Sequence, residues 1–435
     1  MRIFQKGDKK TLFAWAFYDW ANSVYALVIS SSIFPLYYGA LFREKGIKSL
    51  EIFGKELPSE SIISYVTSIG FLLIVLVSPI LSGIADFLGT KKFFLKLFCW
   101  IGSLSCMLLY FFSIENIFIS LFIYMFALIG FWGSLVFYNS YLPDIAFPEQ
   151  QDKVSAKGYA LGYMGSVLLL IINLLMLMNF KFFGFESEME VMRISFVLVG
   201  LWWIGFSQYT YKYLPDFKNN NKITKNVFFS GFRELKKVWM ELKNHPILKK
   251  YLLAFFTYSM AVQTVMIIAV YFGEKEIKWM DDSQRTMGLI ISILMIQLVA
   301  IAGAFLTSFA SSKVGNINAL ILINILWVFI CVYAYTIITP NEFYIAAASV
   351  GLVMGGIQSL SRSTYSKLLP DTTDTTSFFS FYDITEKLGI VIGMVLYGYI
   401  ADLTGKMQNA ILFLIIFFIV GVVLLMRIPR QYRNC

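Results

Sequence analysis

The sequence predicts an all-α membrane protein with twelve transmembrane helices arranged as two six-helix halves. Three observations carry this prediction: 58% of the 435 residues are hydrophobic, only 14% are charged, and the apolar residues form long stretches between short polar ones. Average soluble chains carry about 25% charged residues, so this chain has too few charges to cover a soluble surface of its size. Soluble enzymes, nucleic-acid binders and disordered scaffolds are therefore excluded.

Twelve apolar stretches supply the predicted helices. Each has about the 20 residues that a helix needs to cross ~30 Å of hydrocarbon, and they are continuously apolar, which favours helices over a β-barrel. The first stretch is long, so it either tilts or kinks at Pro35. The predicted spans are 11–42, 61–85, 93–113, 116–141, 157–180, 192–213, 248–273, 286–311, 317–339, 342–368, 378–401 and 408–428.

The positions of Lys and Arg predict the topology. With the N-terminus inside, most of the 36 Lys and Arg fall in cytoplasmic loops, and the largest group lies between Lys212 and Lys250. Because cytoplasmic loops are enriched in these residues, we expect a multi-pass protein of the cell (inner) membrane with both termini cytoplasmic. The net charge of +9 then reflects topology and does not indicate a nucleic-acid partner.

An internal repeat divides the chain. Leu142-Pro143-Asp144, after the fourth span, recurs as Leu369-Pro370-Asp371 after the tenth, and at the same offset Gly162 matches Gly389. Two such halves are typical of transporters whose substrate lies between them near the membrane midplane. The predicted domains are an N-terminal half (1–213), a cytoplasmic linker (214–247) and a C-terminal half (248–435).

The linker carries an amphipathic helix. Two interpretations are open: a basic helix on the inner leaflet, or a linker helix packed beneath the bundle. The apolar stripe comprises Phe228, Phe229, Phe232, Leu235, Val238, Trp239 and Leu242, with Arg233, Lys236, Lys237 and Lys243 between them.

The loop after the second span contains Gly83, Asp86, Gly89, Lys91 and Lys92. This pattern resembles the loop signature of the major facilitator superfamily. The resemblance implies that this loop latches the inward-closed state and does not bind substrate. The Asp can accept hydrogen bonds at a neighbouring helix N-terminus, and the basic pair holds the loop inside. The second half has Ser312 where the Asp would stand, so we expect a latch on one side only.

Charges within the spans are the candidates for a substrate or coupling site. Asp19 lies ~12 Å into the first span at about 1.5 Å per residue, near mid-membrane. A charge there costs about 2.5–3.5 kcal/mol and should face the bundle interior, on the polar helix face that Asn22 and Tyr18 share. Asp19 is either a proton or cation coupling site, a partner for a substrate amine, or a structural carboxylate satisfied by its neighbours.

Spans ten and eleven hold the other charges. The planar fork of Arg362 can bind a substrate carboxylate, pair with Asp144, Asp371 or Glu386 as an inner gate, or snorkel to the surface. Gln358 shares its helix face. Asp383 and Lys387 stand at i, i+4 and can neutralise each other. Glu386 then either pairs with Arg362 across the cavity or is a second protonatable site. Tyr18, Tyr138 and Tyr382 are candidates to line that cavity.

Five segments share a family pattern: Trp15 to Ser23, Phe137 to Asp144 with Asn139, Gly158 to Ser166, Gln358 to Ser363, and Phe378 to Asp383 followed by Lys387 and Gly389. Together they resemble the UMF ("unknown major facilitator") family, which includes the fungal autophagy-related vacuolar amino-acid effluxers. The resemblance implies the major facilitator fold and transport of a small metabolite, amino acids among them. The chain departs from the family pattern at Glu386, where relatives often have Gly, and in the seventh span, where Ser259 replaces an Asp and Gln263 follows as a site candidate.

The leading hypothesis is a secondary transporter that works by alternating access. It would be a monomer in the lipid bilayer, moving a small-molecule substrate with a proton or cation and using no cofactor or metal. The sequence contains no ATP-binding P-loop, so pumping would need an ion gradient. An intramembrane enzyme is the weaker alternative, because one His and no paired intramembrane Asp leave little for catalysis. A non-transporting sensor or scaffold would be expected to carry a larger output domain than the linker.

Overall fold

A computed structural model of the protein describes residues 4–52, 54–217 and 227–433, with backbone alone at residues 60, 227–232, 234 and 235. In this part of the chain, twelve helical spans are long and apolar enough to cross a membrane, which confirms the predicted fold class. We number them span 1 (Lys9–Glu44), span 2 (Ser61–Leu88), span 3 (Lys91–Phe111), span 4 (Ile117–Ile145), span 5 (Pro148–Met178), span 6 (Glu188–Tyr213), span 7 (Pro246–Glu276), span 8 (Asp282–Val314), span 9 (Asn316–Thr336), span 10 (Pro340–Leu368), span 11 (Thr375–Thr404) and span 12 (Met407–Met426).

Span 1 is interrupted before Pro35, which corrects the expected kink at that residue. An α-helix over Lys9–Val24 passes into a π-helical segment, Tyr25–Ser30, and a second α-helix covers Ile33–Glu44. The Ser31 hydroxyl donates to the Ala26 carbonyl at 2.9 Å, within the irregular stretch. Pro35 lies in the first turn of the second helix, where a missing backbone N–H costs nothing.

A few short elements complete the described secondary structure. Two strands, Ser49–Ile52 and Lys55–Pro58, pair antiparallel between spans 1 and 2, and the helix of span 2 begins at Ser59. The sequence did not predict this hairpin, because strands of four residues are too short to establish an alternating pattern. Span 3 ends in a 3₁₀ turn (Leu109–Phe111), span 4 combines Ile117–Asn139 with Leu142–Ile145, and a last 3₁₀ turn covers Arg430–Tyr432.

The spans pack around two hydrophobic clusters. One is built by spans 1–6 and the other mainly by spans 7–12. Between the clusters, span 2 packs against span 11, and span 5 packs against spans 8 and 10. We call the end of the bundle where spans 2, 4, 8 and 10 terminate the latch end.

A linker helix, Val227–Asn244, lies across this end against span 2, with further contacts to spans 7 and 11. Val238 and Leu242 are buried, and the Trp239 ring packs on Phe381 at 5.9 Å. The Lys237 ammonium contacts the Asp374 carboxylate at 2.5 Å. Within the described part of the stripe, the helix therefore packs beneath the bundle. The side chains of Phe228, Phe229, Phe232 and Leu235 lie outside the described residues.

Candidate functional site

A buried ion pair joins the two sets of spans. Both terminal nitrogens of Arg362, on span 10, lie 3.2 Å from the Asp19 Oδ2 atom, on span 1. The side chains are 2% and 7% exposed, so neither charge is solvated by water. The Tyr138 hydroxyl donates to the same carboxylate oxygen at 2.8 Å. Asp19 is therefore held by one cation and one neutral donor.

Every N–H group of Arg362 is used. A guanidinium has five donors and no acceptor. Nε donates to the Ser155 hydroxyl at 3.0 Å, and Nη2 donates to the Ser155 carbonyl at 3.0 Å. Nη1 donates to the Asn139 side-chain oxygen at 3.2 Å. With the two bonds to Asp19 this makes five hydrogen bonds, so Arg362 has no donor left for a substrate carboxylate in this conformation.

Aromatic rings enclose the guanidinium. Its carbon lies 4.7 Å from the Trp15 ring centroid and 4.3 Å from the Tyr159 centroid. Trp15 in turn stacks on Tyr138 at 4.5 Å and donates its indole N–H to the Tyr138 carbonyl at 2.8 Å. A cation over a ring face gains about 0.5–1 kcal/mol at an exposed site and about 2 kcal/mol where water is excluded. These rings therefore add to the stability of the ion pair and restrict the orientation of the guanidinium plane.

Glycine on span 5 makes the close approach possible. A Cβ atom at Gly158 would stand 2.4 Å from the Asp19 Oδ2 atom and 3.0 Å from the Arg362 Nη2 atom. One at Gly162 would stand 2.5 Å from the Ser23 hydroxyl. Only residues without a side chain let span 5 pass this close to the pair.

The partner of Arg362 differs from every partner that the sequence suggested. Asp144, Asp371 and Glu386 were the expected gate residues, yet the carboxylate that Arg362 contacts is Asp19. The physical reason is that Asp19 is buried within span 1 across the interface, where an unpaired charge would be costly. In this conformation Arg362 also has no free N–H group with which to bind a substrate carboxylate.

A second charged cluster lies on span 11. Lys387 donates to the Asp383 carboxylate and lies 3.6 Å from the Glu386 Oε2 atom. Its ammonium also sits 4.1 Å from the Trp132 ring centroid. The Glu386 Oε1 atom accepts a hydrogen bond from the Gln263 amide at 2.8 Å. Glu386 therefore has neighbours on spans 7 and 11, which corrects the expectation that it pairs with Arg362.

A narrow cavity of about 20 Å³ opens beside this cluster. That is room for about one water molecule. The charged side chain among its lining residues is Glu386, which is 19% exposed, whereas Lys387 is 1% exposed and lies behind it. The lining also includes Tyr159, Phe255, Tyr258, Gln263, Gln358 and Tyr382.

The residues of the loop signature connect span 2 and span 3 to the start of span 11. Asp86 accepts hydrogen bonds from the backbone N–H groups of Thr376 at 3.2 Å and Ser377 at 2.6 Å, at the start of span 11. Lys91 contacts the Asp144 carboxylate and donates to the Thr375 hydroxyl at 3.0 Å. The carboxylate satisfies backbone donors that a helix start leaves free.

Other members of the signature shape the turn. Gly89 ends span 2 with a left-handed backbone angle, φ 66°, which favours glycine, while Gly83 lies buried within the helix. Lys92 donates to the Leu214 carbonyl at 2.8 Å and so ties the loop to the end of span 6.

A second set of polar contacts at the latch end joins span 5 to spans 8, 9 and 10, where the sequence led us to expect such contacts on one side only. The carboxylate comes from Asp152, at the start of span 5. It accepts hydrogen bonds from Asn316 at 2.9 Å, from Lys367 at 2.7 Å and from the Ser311 hydroxyl at 3.4 Å. Asp152, on span 5, thus supplies the acid that span 8 lacks at Ser312. A search for the motif on span 8 alone does not find this residue.

The remaining site candidates divide between the pair and the cavity. Asn139 binds Arg362, whereas Gln263, Gln358 and Tyr382 lie at the cavity. The Tyr163 hydroxyl donates to the Gln358 side-chain oxygen at 2.7 Å, and Tyr382 stacks on Phe255 at 4.2 Å. Tyr18 and Asn22 are buried on span 1, where Tyr18 packs against Tyr138 at 4.9 Å.

Several site residues were not selected from the sequence. Ser155, Trp15 and Tyr159 surround Arg362, and Asp152 makes the second set of polar contacts at the latch end. Trp15 and Tyr159 lie inside segments that carried the family resemblance. Ser155 stands three residues before Gly158, on the same helix face, and this spacing is the signal that was overlooked.

Comparison with known proteins gives consistent results. The sequence model of a family described as vacuole effluxer Atg22 like matches residues 7–433. An MFS-type transporter of Bacillus subtilis, YxiO, is 30% identical over 99% of this chain and 96% of its own length. Autophagy-related protein 22 of Vanderwaltozyma polyspora is 24% identical over 98% of this chain and 91% of its own length.

The fold also has solved counterparts. The fucose:proton symporter of E. coli superposes with a TM-score of 0.68 at 15% identity, covering 97% of this chain and 98% of the symporter. At that identity the similarity shows the shared major facilitator fold alone.

Proposed function

The chain belongs to the Atg22-like vacuole effluxer family of major facilitator transporters, and from this premise we propose that it moves a small metabolite by alternating access, coupled to protons. An amino acid is the first substrate candidate. The protein is a multi-pass membrane protein. In this proposal residues 1–213 and 248–435 move as two bodies, and one copy of the chain is sufficient because both bodies contribute to the site.

The observation that carries the proposal is the buried Asp19–Arg362 ion pair. It links span 1 to span 10 across the interface that must part for the latch end to open. A proton on Asp19 would remove the negative charge that binds Arg362, and the electrostatic attraction between the halves would fall. A buried ion pair that depends on one carboxylate is thus a site where proton binding and opening are coupled.

We further propose that the protein resides in a bacterial cell membrane with the latch end and both termini in the cytoplasm. The excess of Lys and Arg in the loops at that end supports this orientation. A fluorescent protein fused after Arg433 is expected to fluoresce, and alkaline phosphatase fused at the same position to stay inactive. The reverse pattern would overturn the orientation.

The transport proposal is tested in proteoliposomes that contain a pH-sensitive dye. A pool of neutral amino acids added on one side should cause proton movement with the wild-type protein. Asp19→Asn is expected to lose substrate-driven proton movement by at least about tenfold, because an amide cannot carry the proton, while its level in the membrane stays normal.

Asp383→Asn serves as the matched control. Asp383 is also a buried carboxylate beside a cation, but its partner Lys387 lies on the same helix, so no contact between the halves is lost. With substrate at a saturating concentration, which offsets weaker binding at the span 11 cluster, it should retain more coupling than Asp19→Asn. Unchanged proton movement with Asp19→Asn would rule out Asp19 as the coupling group.

A further inference from the structure

We infer that the cavity beside span 11 binds a primary ammonium group of the substrate, with Glu386 as its counter-charge, and that the substrate's carboxylate is not recognised. The inference rests on the proposed transport function and names the chemical class that it would serve. Amines would then bind, amino acids would bind more weakly than the matching amines, and acids without an amine would not bind.

The first argument is the balance of charges. Asp19 and Arg362 neutralise each other. On span 11, Lys387 is shared between Asp383 and Glu386, so two carboxylates face one ammonium. The Asp383 Oδ2 atom is buried with no hydrogen-bond partner among the described residues. The central region therefore carries one negative charge in excess when its carboxylates are ionised, and it attracts a cation.

The second argument is access. Among Asp383, Glu386 and Lys387, Glu386 is the residue that lines the cavity, and the Gln263 amide occupies one of its oxygens. The other oxygen lies 3.6 Å from the Lys387 nitrogen, beyond hydrogen-bond distance, so it can still accept one. An ammonium group donates and never accepts, and so fits this oxygen.

The third argument is the cavity wall. Tyr159, Phe255, Tyr258 and Tyr382 contribute aromatic rings, whose faces attract cations. The volume of about 20 Å³ holds a group of the size of one water molecule. A primary ammonium has that size, whereas a trimethylammonium group is far larger. The remainder of a substrate molecule fits only if the cavity widens.

The fourth argument excludes an anion. The five N–H groups of Arg362 are all bonded within the protein. Lys387 is 1% exposed and lies behind the cavity wall. A substrate carboxylate would thus meet Glu386 and aromatic rings, and no available cation in the described lining.

The test is equilibrium binding to the purified full-length protein, measured by isothermal titration. The three probes all carry a phenyl ring on a short carbon chain and differ in their charged groups. They are phenethylamine, phenylalanine and 3-phenylpropionate. Phenethylamine is expected to bind more tightly than phenylalanine, whose carboxylate would lie beside Glu386 without a cation, and 3-phenylpropionate is expected not to bind. Glu386→Gln is expected to weaken both amines by about 10–100-fold, the usual effect of losing a charge-assisted hydrogen bond.

Two further variants keep the test decisive if Glu386→Gln folds poorly. Glu386→Asp retains the charge and should retain most of the amine affinity. Glu56→Gln, in the exposed hairpin, should bind like the wild type. Binding of 3-phenylpropionate, or amine affinity that survives Glu386→Gln, would overturn the inference, as would a failure of both amines to bind.

Binding also separates this inference from the transport proposal. Asp19→Asn/Arg362→Met, which keeps the net charge of the central region unchanged, is expected to bind phenethylamine while it fails to couple transport to protons. If amines bind and no substrate-driven proton movement occurs in the wild type, the transport proposal fails and the ammonium site stands. If coupled transport occurs but only acids bind, the ammonium site fails alone.

Discussion

Arg362→Met is expected to abolish transport and to move the protein out of the conformation in which the latch end is closed. Methionine removes the charge and leaves the Asp19 carboxylate buried in the interface without its cation. Removing one partner of a buried ion pair costs about 3–5 kcal/mol. Because about 1.4 kcal/mol corresponds to a tenfold change in an equilibrium constant, the population of the closed conformation should fall by about 10²–10⁴-fold. Substrate uptake into proteoliposomes, normalised to protein amount, measures the effect on transport.

Two companion variants identify the cause. Arg362→Lys keeps the charge but offers three donors in place of five, so its transport should be intermediate. Asp19→Asn/Arg362→Met removes both charges, and replacing both partners of a buried pair is often nearly neutral. The double variant should therefore recover thermal stability and remain inactive. An Arg362→Met protein that is no less stable than the double variant would argue against a buried pair.

Gly158→Ala is expected to have the next largest effect, although it adds a single methyl group. The new Cβ would stand 2.4 Å from the Asp19 Oδ2 atom and 3.0 Å from the Arg362 Nη2 atom, so the pair must separate or span 5 must shift. Losing one or two charge-assisted hydrogen bonds costs about 1.5–3 kcal/mol each. Transport should fall by about 10–100-fold, measured as initial rates of uptake.

Gly205→Ala is the matched control for this substitution. Gly205 lies in the helix of span 6, and a Cβ atom there meets nothing within 4 Å. Alanine is also the better helix former by about 0.5–1 kcal/mol, so this variant should be at least as stable as the wild type and fully active. Equal activity of the two alanine variants would show that close packing at Gly158 is not required.

The spans were predictable because hydropathy acts locally. A run of about 20 apolar residues forms a membrane helix wherever it occurs, and all twelve spans followed from this rule. The interruption of span 1 was not predictable, because a π-helical segment over Tyr25–Ser30 has no strong sequence signal. Pro35 was a plausible but wrong marker, since it occupies a position where proline is tolerated.

The site was predictable as a set of residues but not as a set of contacts. Asp19 and Arg362 were selected because charges within a membrane span need a partner. Their pairing joins positions 343 residues apart, and it depends on how spans 1, 5 and 10 pack. The contacts of Asp152 could not be predicted for the same reason. Asp152 lies on span 5, and it takes the place of the acid that the motif would put on span 8, in the other half of the chain.

The most direct measurement is the distance between spin labels at the latch end. Lys212→Cys on span 6 and Lys313→Cys on span 8 are exposed sites in opposite halves, and the described native cysteines Cys99, Cys106 and Cys331 are buried. With Cys435→Ser, we predict one short distance in the wild type, and a longer distance both in Arg362→Met and in the wild type at low pH. The Asp19→Asn/Arg362→Met protein should no longer respond to pH. Unchanged distances in Arg362→Met would contradict the central role of the Asp19–Arg362 pair.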